Sequence, residues 1–245
     1  MTLFEPLEGI LLIDKPKGMT SHDVVSRLRR ILKIKRIGHT GTLDPDATGL
    51  LVICVGKATK SSATLSDVDK TYRVGFRLGV ETDTYDETGD VVARNDDVSV
   101  SEGKLQETIR GFVGEQEQQV PLFSAVKVNG RKLYEYARKG IEVTPPTRQV
   151  KIHSIDLLSF ASPNGEMEVS CSKGTYVRSL IHDMGKKLGT GAITTEIRRV
   201  QCGSVRVSEA VSLEEVMKAE NAYENLSRAL IPTSVGLSRF PSTAA

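Results

Sequence analysis

Asp44 is the carboxylate of this chain with the clearest means of being presented for chemistry. It sits in Gly38-His39-Thr40-Gly41-Thr42-Leu43-Asp44-Pro45-Asp46-Ala47-Thr48-Gly49, and the apolar run Leu50 to Val55 follows at once. Three glycines and a proline in twelve residues exclude a helix or a regular strand, because glycine widens backbone freedom and proline removes an amide donor. The segment is a shaped loop. Pro45 biases Asp44 towards an extended backbone, so the carboxylate is held at a set angle just ahead of a run that reads as a buried strand. Scaffolds commonly hold working residues on a polar loop ended by a core strand, and a capping Asp in an ordinary surface loop is the competing reading. A carboxylate so placed can act as a nucleophile or, joined by Asp46 and His39, can ligate a divalent ion.

A second pair of suitable residues lies far along the chain. Lys173 comes just before, and Arg178 in the first turn of, a helix with the core stripe Val177, Leu180, Ile181, Met184 and Leu188, read as capped by Thr175 and stopped by Gly189. The positive end of a helix dipole disfavours cations by about 0.3–1 kcal/mol. A cation placed there has an anion to meet, either an RNA phosphate or a protein carboxylate, and Asp44 is the protein candidate. An arginine reaching into water is the alternative. A third group is the basic segment 115–151, where Lys127, Arg131, Lys132, Arg138, Lys139, Arg148 and Lys151 alternate with Phe123, Tyr134 and Tyr136. Cations for phosphates, mixed with rings that stack on unpaired bases, suit looped or single-stranded RNA, although the tyrosines also fit the rim of a core.

The elements that must position these residues follow from periodicity. Gly9 to Asp14 reads as a strand closed by Lys15-Pro16-Lys17-Gly18, and Thr20 or Ser21 caps a helix with Val24, Val25, Leu28, Ile31 and Leu32 on one face and mostly arginine on the other. Strand 50–55 is followed by a short helix to about Val68. Lys70 to Leu78 alternates, with Tyr72, Val74, Phe76 and Leu78 on one side. An acidic loop or hairpin occupies 81–97, and a helix begins near Ser101. Strands near 148–160 and 166–172 flank the turn Ser162-Pro163-Asn164-Gly165. After a strand or loop at 192–200 and a short strand at 205–207, Ser212 and Glu215 form a capping box for a helix to about Leu230. Residues 231–245 are expected to be a loose tail or linker.

Composition limits the class. Net charge is only +2, but residues 15–36 carry eight Lys/Arg against Asp23 alone, whereas residues 81–102 carry eight acids against Arg94 alone. One face attracts a polyanion and another rejects it. Three separated cysteines, Cys54, Cys171 and Cys202, read as core residues, and the four histidines show no zinc spacing. No apolar run reaches the length of a membrane span and no signal-peptide pattern opens the chain, so a cytoplasmic protein is expected.

The loop Gly38 to Asp44-Pro45 with Ala47-Thr48-Gly49 resembles the catalytic motif of the TruB family of tRNA pseudouridine synthases. Further blocks resemble the family in the same order: Asp14-Lys15-Pro16 with Gly18 and Thr20-Ser21, Lys70 to Val74, Thr82-Asp83-Thr84, Pro121 with Ser124-Ala125 and Lys127, Tyr134 with Ala137-Arg138, and Gly174 to Arg178. The likeness covers about residues 8–230. It implies an α+β pseudouridine-synthase fold with a mixed, largely antiparallel, bifurcated sheet flanked by helices, making a catalytic domain over 1–230. A C-terminal RNA-binding domain of the PUA type, carried by many members, is not expected in this chain.

The resemblance also implies a reaction and its residues. Uridine at position 55 in the T loop of tRNA becomes pseudouridine, with no cofactor and no metal. Asp44 is then the nucleophile, attacking ribose C1′ or uracil C6, Arg178 its counter-ion, and Tyr72 the ring that stacks on the base and moves a proton. His39, Tyr176 and Ile197 line the substrate pocket, with Ile197 standing where the family more often has Leu. Lys15, Arg36, Lys127, Arg131, Arg148 and Lys173 are the expected RNA-binding cations. The partner is the T-arm stem-loop of tRNA, with no membrane, and a monomer is expected. A non-catalytic RNA-binding or chaperone module and a metal-dependent phosphodiesterase are the rival readings.

Overall fold

Gly9–Lys15 and Thr48–Val55 are apolar at nearly every position because both strands are covered on both faces. The structure, a computed structural model, describes residues 7–240. Leu11, Ile13, Leu51, Ile53 and Val55 pack to one side with Val24, Val25, Leu28, Leu213, Val216 and Leu226. Ile10, Leu12, Leu50, Val52 and Cys54 pack to the other with Leu65, Val68, Val205 and Phe240. A strand buried on two faces shows no polar alternation.

In chain order the elements are β1 (Gly9–Lys15), α1 (Ser21–Leu32), β2 (Ile37–His39), β3 (Thr48–Val55), a 3-10 turn (Gly56–Ser61), α2 (Ser62–Ser66) and β4 (Lys70–Leu78). Then come β5 (Val80–Thr82), β6 (Val91–Arg94), α3 (Glu102–Arg110), β7 (Gly114–Gln119), β8 (Lys127–Val128), β9 (Arg131–Lys132), α4 (Leu133–Ala137), β10 (Thr147–Ala161), β11 (Asn164–Cys171) and α5 (Val177–Leu188). The chain ends with β12 (Ala192–Cys202), β13 (Val205–Arg206), β14 (Val211–Ser212), α6 (Leu213–Lys218), α7 (Ala222–Arg228) and α8 (Thr233–Ser238).

These form two compact units, with boundaries inside β4 and β12: the first holds residues up to Tyr72 and from Ile197 onward, the second Arg73–Glu196. In the first unit the strand order is β14-β1-β3-β12, with β2 on β3 and β13 on β12. β1 is parallel to β14 and β3 parallel to β12, while β1·β3, β2·β3 and β12·β13 are antiparallel. Of the two expected caps of α1, Thr20 is the one used, and it forms a capping box with Asp23. In the second unit the order is β12-β4-β11-β10-β7, with β10 antiparallel to both neighbours. Val74, Phe76 and Leu78 of β4 are buried, as the alternation predicted. The expected α+β class and its mixed, largely antiparallel sheet are therefore what the chain forms.

Three elements depart from the sequence reading. β7, Gly-Glu-Gln-Glu-Gln-Gln, is a strand although every side chain in it is polar or absent, because its pairing with β10 is a backbone matter. The helix expected from Ser212 to about Leu230 breaks at Ala219, whose extended backbone separates α6 from α7. Residues 231–240 are no loose tail: Ile231 exchanges two backbone hydrogen bonds with Ile10, at 2.8 and 2.9 Å, and Phe240 is buried. The remainder of that expected tail, 241–245, lies outside the described residues.

Candidate active site

In the first unit, the backbone on both sides of Asp44 is fixed. The hydroxyl of Ser21, at the start of α1, accepts from the Leu43 amide at 2.8 Å and donates to the Leu43 carbonyl at 3.1 Å. The Pro45 carbonyl accepts from the Lys15 ammonium at 3.0 Å and from the Gly18 amide at 2.9 Å. Asp44 itself is half-buried, and its carbonyl closes a turn with the Ala47 amide. The side chain therefore leaves a backbone that cannot swing.

Lys15 was expected among the RNA-binding cations, but it is 0% exposed. Its ammonium donates to the Pro16, Met19 and Pro45 carbonyls at 2.9, 2.6 and 3.0 Å. It clamps the loop and faces no solvent. Burial pushes its pKa down to about 8 against the pull of Asp46 and Asp44.

Arg199 is the residue the sequence reading missed. It is 2% exposed; its Nε donates to the Leu50 carbonyl at 2.7 Å, its Nη2 to the Gly41 carbonyl at 3.1 Å, and it hydrogen-bonds the Tyr72 side chain. Gly49 pairs with Arg199 across β3 and β12, at φ +99°, and a Cβ there would stand 2.3 Å from the Arg199 carbonyl oxygen. Only glycine permits that approach. Neighbouring Arg198 holds Asp14 through two bonds of 3.1 and 2.6 Å and reaches the Thr48 hydroxyl at 3.3 Å. His39 is half-buried, accepts from the Gly41 amide through Nδ1 at 3.4 Å, and is held towards its neutral form by burial and by Arg199. Ile197 is half-buried on β12. Exposed Arg36 donates from Nε to the Thr59 hydroxyl at 2.6 Å.

In the second unit Arg178 is 4% exposed in the first turn of α5. Its guanidinium donates to the Thr84 and Phe123 carbonyls at 2.6 and 3.0 Å and stands 3.6 Å from the Asp86 carboxylate. Asp86 came from the acidic run that charge counting had set aside. Its carboxylate also accepts from the Thr84 hydroxyl and from the Thr88 amide and hydroxyl, at 2.7, 3.0 and 2.6 Å, which fixes it beside the arginine.

The N-cap of α5 is Tyr176, not Thr175, and it has no side-chain cap of its own. Instead the Gln118 side chain accepts from the Tyr176 amide at 2.7 Å and donates to its carbonyl at 3.0 Å. Arg148 lies over the Tyr176 ring at 5.4 Å. The expected cations Lys127, Arg131 and Lys173 are exposed, Arg131 near the Tyr136 ring at 5.9 Å, while Lys132 and Arg138 both lie at 5.4 Å from the Tyr134 ring.

Comparison with known proteins places this arrangement. The family model described as TruB family pseudouridylate synthase, N-terminal domain, matches residues 29–177, and the tRNA pseudouridylate synthase B C-terminal domain matches 178–238. The chain belongs to the TruB family. Among curated members, tRNA pseudouridine synthase B of Syntrophobacter fumaroxidans is 47% identical over 96% of this chain and 76% of its own length. The protein of the same name from Bordetella avium is 48% identical over 86% of this chain and 87% of its own. Among solved structures, a Cbf5-Nop10-Gar1 complex contains a chain with TM-score 0.70 and 28% identity, covering 94% of this chain; the present chain spans 60% of that one. The TruB family is one of isomerases, and the fold agrees with its solved neighbours. Among the described residues no helix is long and apolar enough to cross a membrane.

Proposed function

We propose that this chain is a tRNA pseudouridine synthase that isomerises uridine 55 in the T loop, with Asp44 as its nucleophile. The observation that carries the reading is the pinning of Leu43 and Pro45 on either side of Asp44, which gives a half-buried carboxylate one direction. The names of the 47–48% identical relatives support tRNA as the substrate.

The reaction needs little else. The N1–C1′ bond breaks, the uracil turns, and C5 bonds to C1′; the C5 hydrogen leaves as a proton and N1 gains one, so no electrons change hands. Asp44 bonds transiently to the nucleoside, as carboxylates do in glycosyl transfer. Arg178 is proposed as the counter-ion of the attacking carboxylate. Tyr72 stacks on the base and moves the proton. His39 fills the gap left by the flipped uridine, a role suited to a ring held neutral. Tyr176 and Ile197 line the pocket, and Arg36, Lys127, Arg131, Arg148 and Lys173 meet phosphates. Lys15 acts through the loop.

The test is a uridine-labelled T-arm transcript incubated with the protein and read at single-nucleotide resolution. The expected outcome is pseudouridine at position 55; product elsewhere, or none, contradicts the proposal. For His39→Ala, loss of rate on intact tRNA should exceed the loss on a minimal stem-loop with an already loose base, and equal losses would remove the gap-filling role.

A further inference from the structure

Accepting the reading above, in which Asp44 attacks and Tyr72 moves a proton, we propose that Arg199 is a positioning residue for the reaction: one buried guanidinium ties both ends of the Asp44 loop to the hydroxyl of Tyr72. The two carbonyls it holds, Gly41 and Leu50, bracket Asp44 in the sequence, at 3.1 and 2.7 Å. The third bond goes to the Tyr72 side chain, on β4. The loop, its exit strand and the ring therefore share one rigid frame.

A buried guanidinium is costly unless its N–H groups find acceptors. Arg199 spends its donors on two loop carbonyls and a phenol, a pattern only a planar fork with five N–H groups can serve. Lysine carries its three donors on a single nitrogen and lacks the fixed spread of the guanidinium fork. The parallel register of β12 on β3 and the bare backbone of Gly49 bring the arginine this close. A cation bonded to a phenol oxygen also favours the phenolate over the phenol. The other titratable groups around it are Cys202 on β12, Lys15 on β1 and His39 on β2, with Asp44 and Asp46 acting on Lys15. Lys15 adds to the positive field, and Cys202, which favours the charge on Arg199, is its neighbour on the same strand.

The experiment uses the whole chain and two independent readouts. In protein with carbon-13-labelled tyrosine, the Tyr72 resonance, assigned by its absence in Tyr72→Phe, is titrated without substrate. In the unaltered protein it should titrate below the ordinary tyrosine value of about 10, and a midpoint at or above that value overturns the proposal with no variant required. In Arg199→Lys the midpoint should rise, kcat on the T-arm transcript should fall by about 10²-fold or more, the size of a lost proton-transfer group, and KM should change little. A folded Arg199→Lys with ordinary kcat and an unmoved Tyr72 titration also overturns it. The titration needs no turnover, so an Asp44→Asn variant that still makes product would sink the functional reading while leaving the Arg199–Tyr72 frame to be judged on its own signal.

Discussion

Asp44 owes its direction to residues that do no chemistry themselves. Glycines and a proline made the loop visible in the sequence, but Ser21 and Lys15, which fix it, were not, because charge and composition do not reveal which way a side chain turns. Lys15 resembled a phosphate cation and is a buried clamp. Arg198 and Arg199 are adjacent and alike in sequence; strand alternation sends one to Asp14 and the other to the loop and Tyr72. Lys15→Met should leave the Pro16 and Met19 carbonyls without this donor and the Pro45 carbonyl with the Gly18 amide alone, and destabilise the fold by on the order of 1–3 kcal/mol, with kcat falling as the loop loosens. Lys15 binds its proton less tightly when folded, at about 8 against an ordinary 10.5. Between those values the unfolded chain holds more protons, so this group's contribution to stability rises with pH from about 8 to about 10.5. Urea unfolding across that window should show the rise in the unaltered protein and lose it in Lys15→Met; an unchanged profile contradicts the clamp.

Helix α5 shows how an element can be read correctly and anchored unexpectedly. Its core stripe was legible, and Val177, Leu180, Ile181 and Met184 are buried. Its anchor was not, because Gln118 lies 58 residues away on a strand with no hydrophobic pattern. Gln118→Leu leaves the Tyr176 amide without its partner and the Tyr176 carbonyl with the Leu180 amide alone; it should cost about 1–3 kcal/mol, measured by thermal unfolding, and it should weaken activity because Arg178 lies two residues on. One turn beyond Arg178, His182 is buried, stacked on Tyr85 at 3.9 Å, its Nδ1 3.9 Å from the Glu81 carboxylate. Burial, aided by Lys186, pushes its pKa down to about 4. The unfolded chain takes up that proton first, so stability falls as pH drops through the ordinary histidine value of 6.5 towards 4. His182→Phe should flatten this acid limb in unfolding measurements; an unchanged limb would assign it to other groups.

For the whole molecule, the class of fold was readable through the family-like motifs, with which the apolar strands β1 and β3 and the alternating β4 agree, whereas the division into two units was not, since both boundaries fall inside continuous strands. The C-terminal stretch was misread for lack of periodicity: its anchors include two backbone bonds at Ile231, the Ser204 bonds to the Arg239 carbonyl and the buried ring of Phe240, which no repeat announces. Phe240→Ala should cost about 3–5 kcal/mol, seen as a lower unfolding midpoint. The uneven spread of charge bears on partners, and RNA affinity should fall by about 0.7–0.9 log units per log unit of salt for each phosphate met. A flat response would remove the basic residues from the account. The central claim is tested most directly by measuring T-arm binding and pseudouridine yield side by side for Asp44→Asn. The account predicts affinity within about 2-fold of the unaltered protein and no product, because the amide keeps the shape and loses the nucleophile; product formed at the ordinary rate would contradict it.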